Sequence, residues 1–350
     1  MSVPKLRFKE FDGDWLKLKY KDVLTIKYGK DHKSLNDGDI PVYGTGGLMR
    51  HVNKYLYDGE SILIGRKGTI DKPKYINEKF WTVDTLFYTE IEESIVPLFL
   101  YQHALEVNWL GLNEATGVPS LNTTSIYNID ISIPSKEEQT KIASFLSAVD
   151  EKISQLTKKH ELLSQYKQGM MQKLFSQQVR FKADDGSEFG EWDQLKFKDV
   201  IKIKYGKDHK KLDDGDIPVL GTGGIMRYVN SYLYDGESIL IGRKGTIDKP
   251  RFISGKFWTV DTLFYTEIGE KILPKFAFQQ LLLVNWLNLN EATGVPSLNT
   301  TSIGNIELKV PCLAEQTKIA NVLSAIDQKI EVVSKQIEQA KQWKKGLLQQ

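Results

Sequence analysis

The chain has 350 residues, 41% of them hydrophobic and 26% charged, with a formal net charge of +2. That composition is globular, leaves room for two ordinary domains with real cores, and excludes a disordered chain. One cysteine, Cys312, excludes an internal disulfide framework or a CxxC zinc site and fits a reducing compartment, and no apolar run is long enough for a membrane helix.

The first segment, MSVPKLRFKEFDGDW, has neither the apolar stretch nor the cleavage pattern of a signal peptide, so a cytoplasmic location is expected. The near-neutral charge says nothing against nucleic acid, because basic residues gathered on one surface suffice for binding. The chain then repeats itself. YLYDGESILIGRKGTIDKP, Tyr55–Pro73, recurs letter for letter at Tyr232–Pro250, 177 positions on. Trp15–Lys173 aligns with Trp192–Gln350 without a gap, at roughly two identities in three. A period that long is a duplicated domain, not a solenoid repeat.

Within each copy, short runs such as IPVYGTGGL, SILIG, FWTVDTLFYTEI and IDISIP are rich in Val, Ile, Tyr, Phe and Thr. Gly, Asp and Pro bound them, which predicts strands and turns. VPLFLYQHALEVNWL predicts one amphipathic helix inside the domain. Phe80, Trp81 and Phe87 fall in a strand pattern and are expected in the core. Each domain is therefore mixed α/β, and the whole chain α+β.

After each domain the pattern changes to a 4-3 apolar spacing. It runs Ile142, Leu146, Val149, Ile153, Leu156, Leu163, Met170 and Leu174, interrupted by His160 and Lys167. The second copy repeats it with Ile319, Leu323, Ile326, Ile330, Val333, Ile337, Ala340 and Leu347. This is a heptad seam. About 40 residues make a helix of roughly 60 Å, too long for a small domain's own core. The link back to Trp192 spans at most about 50 Å, so antiparallel pairing of the two helices is expected. The layout is a domain over 1–136, a helix over 137–177, a second domain over 178–313 and a second helix over 314–350. LRFK at Leu6–Lys9 echoes VRFK at Val179–Lys182, which follows the first helix. The N-terminal segment is therefore expected beside the end of the second helix.

Four loops carry candidate chemistry. KYGKDHK supplies Lys27, Tyr28, Lys30, His32 and Lys33, and its copy Lys204, Tyr205, Lys207, His209 and Lys210. Basic and aromatic residues mixed in a loop suit contacts to a nucleic-acid backbone and groove, and equally a charged loop facing water. GTGG, with Thr45 and Gly46 or Thr222 and Gly223, is either a tight turn or a close approach to phosphate; without a following GK[ST] it is no P-loop. GRKGT sets Arg66, Lys67 and Thr69, and again Arg243, Lys244 and Thr246, after an apolar strand. Such a turn offers a forked donor for phosphate or guanine, or simply a solvated basic turn. NEATGVPSLNTTSI, with Thr116 and Ser120 or Thr293 and Ser297, either bonds DNA or holds itself together through side-chain-to-backbone bonds. No HExxH, Gly-x-Ser-x-Gly, GxGxxG or Asn-Pro-Pro-aromatic segment is present, so no catalytic residue and no metal ligand is assigned.

The ordered series Trp, KxxDV, YGK, IPVYGTGG, ILIGRKGTI, FWTVDTLFY and ATGVPSLN closes on EQTKIASFLSAVD at Glu138–Asp150 and EQTKIANVLSAID at Glu315–Asp327. Run twice over the whole chain, it resembles the specificity subunit of type I DNA restriction-modification enzymes. The resemblance implies a non-catalytic subunit with two target recognition domains joined by two long helices pairing as an antiparallel coiled coil. It implies double-stranded DNA as ligand, two methyltransferase subunits and restriction/translocase subunits as partners, and no membrane. Cofactors are then none in this chain, with S-adenosylmethionine and ATP/Mg belonging to the partners. Other readings are a stand-alone bivalent DNA binder and a helical protein-interaction scaffold without DNA. Two like domains predict a near-palindromic bipartite target. Five differences between the copies are candidates for shifting a base preference: Ser34/Lys211, Asn36/Asp213, Tyr43/Leu220, His51/Tyr228 and Tyr127/Gly304.

Overall fold

The computed structural model describes residues 6–348. Two compact units appear: one is Met1–Thr157 with Gln336–Gln350, the other Lys158–Lys335. Each contains one of the two repeated globular domains, with a part of each long helix.

In the first unit a two-stranded antiparallel ribbon, Leu16–Lys19 with Asp130–Ile133, ties the two ends of the domain together. The main sheet has six strands in the order Leu24–Tyr28, Leu86–Ile91, Tyr57–Gly65, Lys74–Thr82, Ile40–Gly44 and Gly47–Val52. Neighbours are antiparallel except Ile40–Gly44 against Lys74–Thr82. The run SILIG is buried at every position, as a strand covered on both faces must be. Ile62 and Ile64 pack with Phe99 and Leu100 of the helix Pro97–Glu106, while Leu63 packs with Phe80, Leu86 and Tyr88 on the other face. The predicted core aromatics Phe80, Trp81 and Phe87 are all buried.

The predicted VPLFLYQHALEVNWL helix is in fact two pieces. The α-helix stops at Glu106, Val107 takes an extended conformation, and a 3-10 turn follows at Trp109–Leu112. The indole of Trp109 donates to Ala104 O at 2.8 Å, which folds the second piece back on the first.

The second domain keeps the strand order but divides the sheet into two four-stranded sheets. Asn77 and Glu78 of the first copy are Ser254 and Gly255 here. Gly255 (φ +96°) faces Gly236 (φ +150°), and the two exchange hydrogen bonds of 3.2 and 3.1 Å. Backbone in that region breaks the regular ladder, so the long strands become Tyr234–Asp235 with Ser238–Gly242, and Arg251–Ile253 with Lys256–Thr259.

The long helices run Lys136–Phe175 and Leu313–Leu348. Inside the first unit Phe145 packs edge-on against Trp343, Lys344 donates to both carboxylate oxygens of Asp150 at 2.7 and 2.9 Å, and Leu156 lines a cavity with Gln336. Inside the second, Lys167 pairs with Asp327 at 2.6 Å, and Met171, Leu174 and Phe175 share a core with Ile319, Ala320 and Leu323. As one helix advances the other recedes, the antiparallel pairing the seam predicts. Lys167, which interrupts the seam, is there an ion-pair partner. The seam positions Ile153 and Ile330, expected to be buried, are only half-buried, because two helices alone cover less of each seam residue than a larger bundle would.

The LRFK echo also has a structural meaning. Arg7 holds Glu138 through two bonds of 2.7 and 2.6 Å, and Arg180 holds Glu315 through two of 3.1 and 2.7 Å. Both carboxylates lie buried near the start of a long helix. Leu6, Arg7 and Phe8 line the same cavity as Trp343 and Leu347, so the N-terminal segment does sit beside the end of the second helix.

Candidate nucleic-acid interface

Four loops meet at one end of the sheet in each module, and the bonds that bring them there are the same twice. The KYGK loop starts where strand Leu24–Tyr28 ends. A Cβ on Gly29 would stand 2.0 Å from Val83 O, so only glycine lets the chain pass that close. Lys30 N then donates to Thr82 O at 2.8 Å, and the Trp81 indole donates to Lys30 O at 2.9 Å. The copy repeats both, with Lys207 N to Thr259 O at 2.8 Å and Trp258 to Lys207 O at 2.9 Å. These bonds fix the loop's root and leave Lys30, Lys33, Lys207 and Lys210 exposed.

The GRKGT turn is fastened on two sides. Arg66 N and Lys67 N both donate to Thr85 O, and Arg66 Nη1 donates to Asp84 O at 3.0 Å. On the other side Gly68 N donates to Pro119 O and Leu121 N to Arg66 O, each at 2.9 Å, making Lys67 and Ser120 a bridge partner pair. Lys244 and Ser297 form the same bridge. The Arg66 guanidinium stands 5.4 Å over the exposed ring of Tyr28, and Arg243 stands 5.5 Å over Tyr205. Stacking of this kind holds a guanidinium in place while leaving part of its donor fork free. Thr45 Oγ1 lies 3.5 Å from where a Cβ on Gly68 would be, and Thr222 Oγ1 3.6 Å from the same point on Gly245, so the GTGG turn abuts the GRKGT turn.

The loop after Asn113 is held by itself, one of the two alternatives open from its sequence. Asn113 Oδ1 accepts from Ala115 N at 3.1 Å and Ser120 N at 2.9 Å, and its amide donates to Ala115 O. Asn290 does the same in the copy. Glu114 accepts from Asn122 and Ser125; in the copy Ser302 and Asn299 hold the Glu291 carboxyl below its usual range. What remains at the tip is Thr116, Gly117 and an exposed Val118, and in the copy Thr293, Gly294 and Val295. Past Leu121 the segment is no longer loop, since Thr123–Tyr127 is helical.

The structure thus brings together Tyr28, Lys30, Thr45, Gly46, Arg66, Lys67, Thr69 and Ser120, and their counterparts Tyr205, Lys207, Thr222, Gly223, Arg243, Lys244, Thr246 and Ser297. Among the described residues none of the lysines and arginines in these two sets is in an ion pair. Three kinds of candidate are engaged differently. Lys27 and Lys204 pair with Glu90 and Glu267 at 3.0 and 3.3 Å, and the bond to Glu90 raises the Lys27 ammonium above its usual range. His32 and His209 turn Nδ1 inward, where it meets neither solvent nor a partner among the described residues. Tyr127 is spent on the fold, its hydroxyl accepting from Ile26 N at 2.9 Å, so the Tyr127/Gly304 difference lies away from the loops.

Sequence reasoning passed over two features of this surface. Asp84 and Asp261, exposed in the TVDT turn, sit beside the arginines. Leu48, Met49, Ile225 and Met226, next to the GTGG turn, are all exposed. The signal was the apolar pair following a glycine turn, GGLMR and GGIMR.

In each copy the duplicated α/β module gathers unpaired cations, an aromatic ring and hydroxyls at one end of its sheet. The profile of the type I restriction modification DNA specificity domain matches residues 12–164 and again 190–342, and the chain belongs to that family. It is 28% identical over 346 residues to a type I restriction enzyme specificity subunit of Methanocaldococcus jannaschii, covering 84% of this chain and 76% of the relative. A putative type I restriction enzyme specificity subunit of Haemophilus influenzae is 23% identical over 315 residues, covering 83% and 80%. In fold the chain is similar to the type I restriction-modification S subunit of M. genitalium, with a TM-score of 0.75 at 17% identity over 99% of this chain and 98% of that one. No helix among the described residues is long and apolar enough to cross a membrane.

Proposed function

We propose that this chain is the DNA-reading subunit of a type I restriction-modification enzyme, acting in the cytoplasm. Each module reads one half of a bipartite duplex target. The observation that carries this reading is the repeated loop cluster. In both modules the same hydrogen bonds and the same Arg–Tyr stack present unpaired Lys and Arg side chains at one surface. Lys30, Lys67 and their copies suit phosphate contacts, which position the protein, and the forked guanidinium of Arg66 or Arg243 suits phosphate or guanine O6/N7.

The chain itself is non-catalytic. Two methyltransferase subunits, which would bring S-adenosylmethionine, and restriction/translocase subunits, which would use ATP and Mg, are the partners it positions. Because the loop clusters are nearly identical, the target is a near-palindromic bipartite sequence.

Mapping methylated adenines in cells carrying the complete system gives the target, and two unrelated half-sites would refute the palindrome. On that target, Lys67→Ala is expected to weaken binding at all sequences and lower the salt slope by about one unit. Arg66→Ala either does the same or relaxes one base position by about 1–3 kcal/mol. Unchanged binding in both variants removes the turn from the interface.

A further inference from the structure

The hairpin beside the GTGG turn carries a feature that the basic loops do not explain. Strands Ile40–Gly44 and Gly47–Val52 pair in register from Ile40 opposite Val52 to Val42 opposite Arg50, and then slip. Tyr43 faces Leu48 and Gly44 faces Gly47, so Met49 has no partner and is the extra residue of a β-bulge. The second module slips at the same place, leaving Met226 as the extra residue between Ile225 and Arg227.

A bulge re-aims side chains that would otherwise alternate between the two faces of a strand. Here it leaves two successive apolar residues in solvent. Leu48 is 55% and Met49 57% exposed, and Ile225 is 56% and Met226 59% exposed. One exposed apolar residue needs no explanation, but the same adjacent pair on the same bulge in both modules does. Leu48 and Ile225 differ in shape and both stay apolar, whereas three positions on His51 has become Tyr228.

The bulge is also held in place. The Met49 thioether lies over Gly44, 2.8 Å from where a Cβ would stand, and Met226 lies over Gly221 at 2.9 Å. The glycine that ends the first strand of each hairpin therefore serves as a seat for sulfur. The next residue, Arg50, donates to Leu35 O and to Asp37 at 3.2 and 2.5 Å, and Arg227 repeats this with Leu212 O and Asp214 at 3.1 and 2.6 Å. In the second module Ile225 and Met226 form one wall of a cleft of about 740 Å³, with Asp208, His209 and Lys210 on another.

Resting on the proposed DNA-reading role, we infer that the Leu48–Met49 and Ile225–Met226 bulges are base readers, each seating the C5-methyl group of a thymine in its half-site. A two-stranded ribbon fits the major groove, where thymine alone among the four bases presents a methyl group. Polarizable, flexible methionine suits such a contact. The lysines of the neighbouring loop supply the backbone contacts that bring the bulge to its base pair.

The test replaces thymine by deoxyuridine, one position at a time, in a duplex carrying the mapped target, with the full chain as binder. The wild type is expected to lose about four-fold in affinity at one position in each half-site, the effect of burying one methyl group. Met49→Ala should erase the thymine preference in one half-site and Met226→Ala in the other, while Met49→Leu, still apolar, retains it. Equal binding of thymine and uracil duplexes by the wild type at every position overturns the inference. So does a Met49→Ala that weakens both duplexes alike, the sign of an apolar wedge between base steps rather than a methyl contact. Failure of the wild type to bind the mapped target at all would instead sink the DNA-reading role itself.

Discussion

The corner where each long helix begins differs between the units, although its arginine, glutamate and tryptophan correspond. In the second unit Glu315 takes both bonds from Arg180 and a third from the Trp192 indole at 3.0 Å, and Arg180 also donates to Gly190 O at 2.7 Å. Phe175 packs against both Trp192 and Phe276 and closes the corner. In the first unit Arg7 and Glu138 pair as tightly, but the Trp15 indole N–H has no acceptor among the described residues. Trp15, Phe99, Phe145 and Trp343 line an apolar cavity of about 720 Å³ instead.

Elsewhere the copies differ by coupled exchanges. Tyr20 bonds His103 at 3.0 Å where the second domain has Phe197 and Gln280, and Gln280 turns to Lys309 O. Tyr43 donates to Glu78 at 2.7 Å where the second domain has Leu220 and Gly255. The candidate loops barely change, while the partners Tyr20 and His103, and Tyr43 and Glu78, are replaced together. Removing one partner of a buried bond alone leaves the other unsatisfied, and in the second domain the Gln280 amide N–H is taken up by Lys309 O in place of the lost tyrosine.

Breaking the corners gives the largest expected effect. Arg180→Ala strands a fully buried carboxylate and unsettles the indole bonded to it, at a cost of about 3–5 kcal/mol to the second unit. Arg7→Ala should cost the first unit less, because Glu138 carries no indole. Hydrogen exchange followed separately in each unit measures both, and equal losses would show that Trp192 adds nothing.

Acid should separate the modules next. Burial pushes the His103 imidazole down to about 4 from its usual 6.5. The unfolded chain therefore binds a proton that the folded one refuses between those values, so stability falls as pH drops through that window. At pH 5 the first module is expected to lose about 2 kcal/mol relative to neutral pH on this account. The second module, with Gln280, should not share the loss, and His103→Gln should remove it. A pH titration of exchange rates in both modules is the check; parallel curves would contradict the assignment.

The smallest effect concerns the sheet. In a double-mutant cycle on Tyr43→Leu and Glu78→Gly, the coupling should be about 0.5–1 kcal/mol by urea denaturation. A coupling of zero would mean that the two exchanges between the copies are independent.

Much of this architecture was readable from local pattern. Seam spacing foretold the antiparallel helices, and the apolar run SILIG foretold a strand. Long-range pairing was not readable. Nothing near Arg7 announces a partner at Glu138, 131 residues away, beyond the faint LRFK echo. The loop residues were named from composition, but composition cannot tell a lysine facing solvent from Lys27, which a cross-strand glutamate holds. Nor could it show a bulge, because one extra residue in a ladder appears only when both strands are paired.

The division of the chain into units also sets an order of events on the ribosome. The second unit is one unbroken stretch, Lys158–Lys335, whereas the first needs Gln336–Gln350 to complete what Met1–Thr157 began. Synthesis therefore delivers all the parts of the later module before it delivers the last parts of the earlier one. Until Trp343 and Lys344 emerge, Phe145 and Asp150 lack their partners, and the first-made module waits with its helix uncovered. In nascent chains stalled after Lys335 has left the exit tunnel, the second unit should resist protease along its length, whereas the first unit should still be cut in its helix near Phe145 and Asp150.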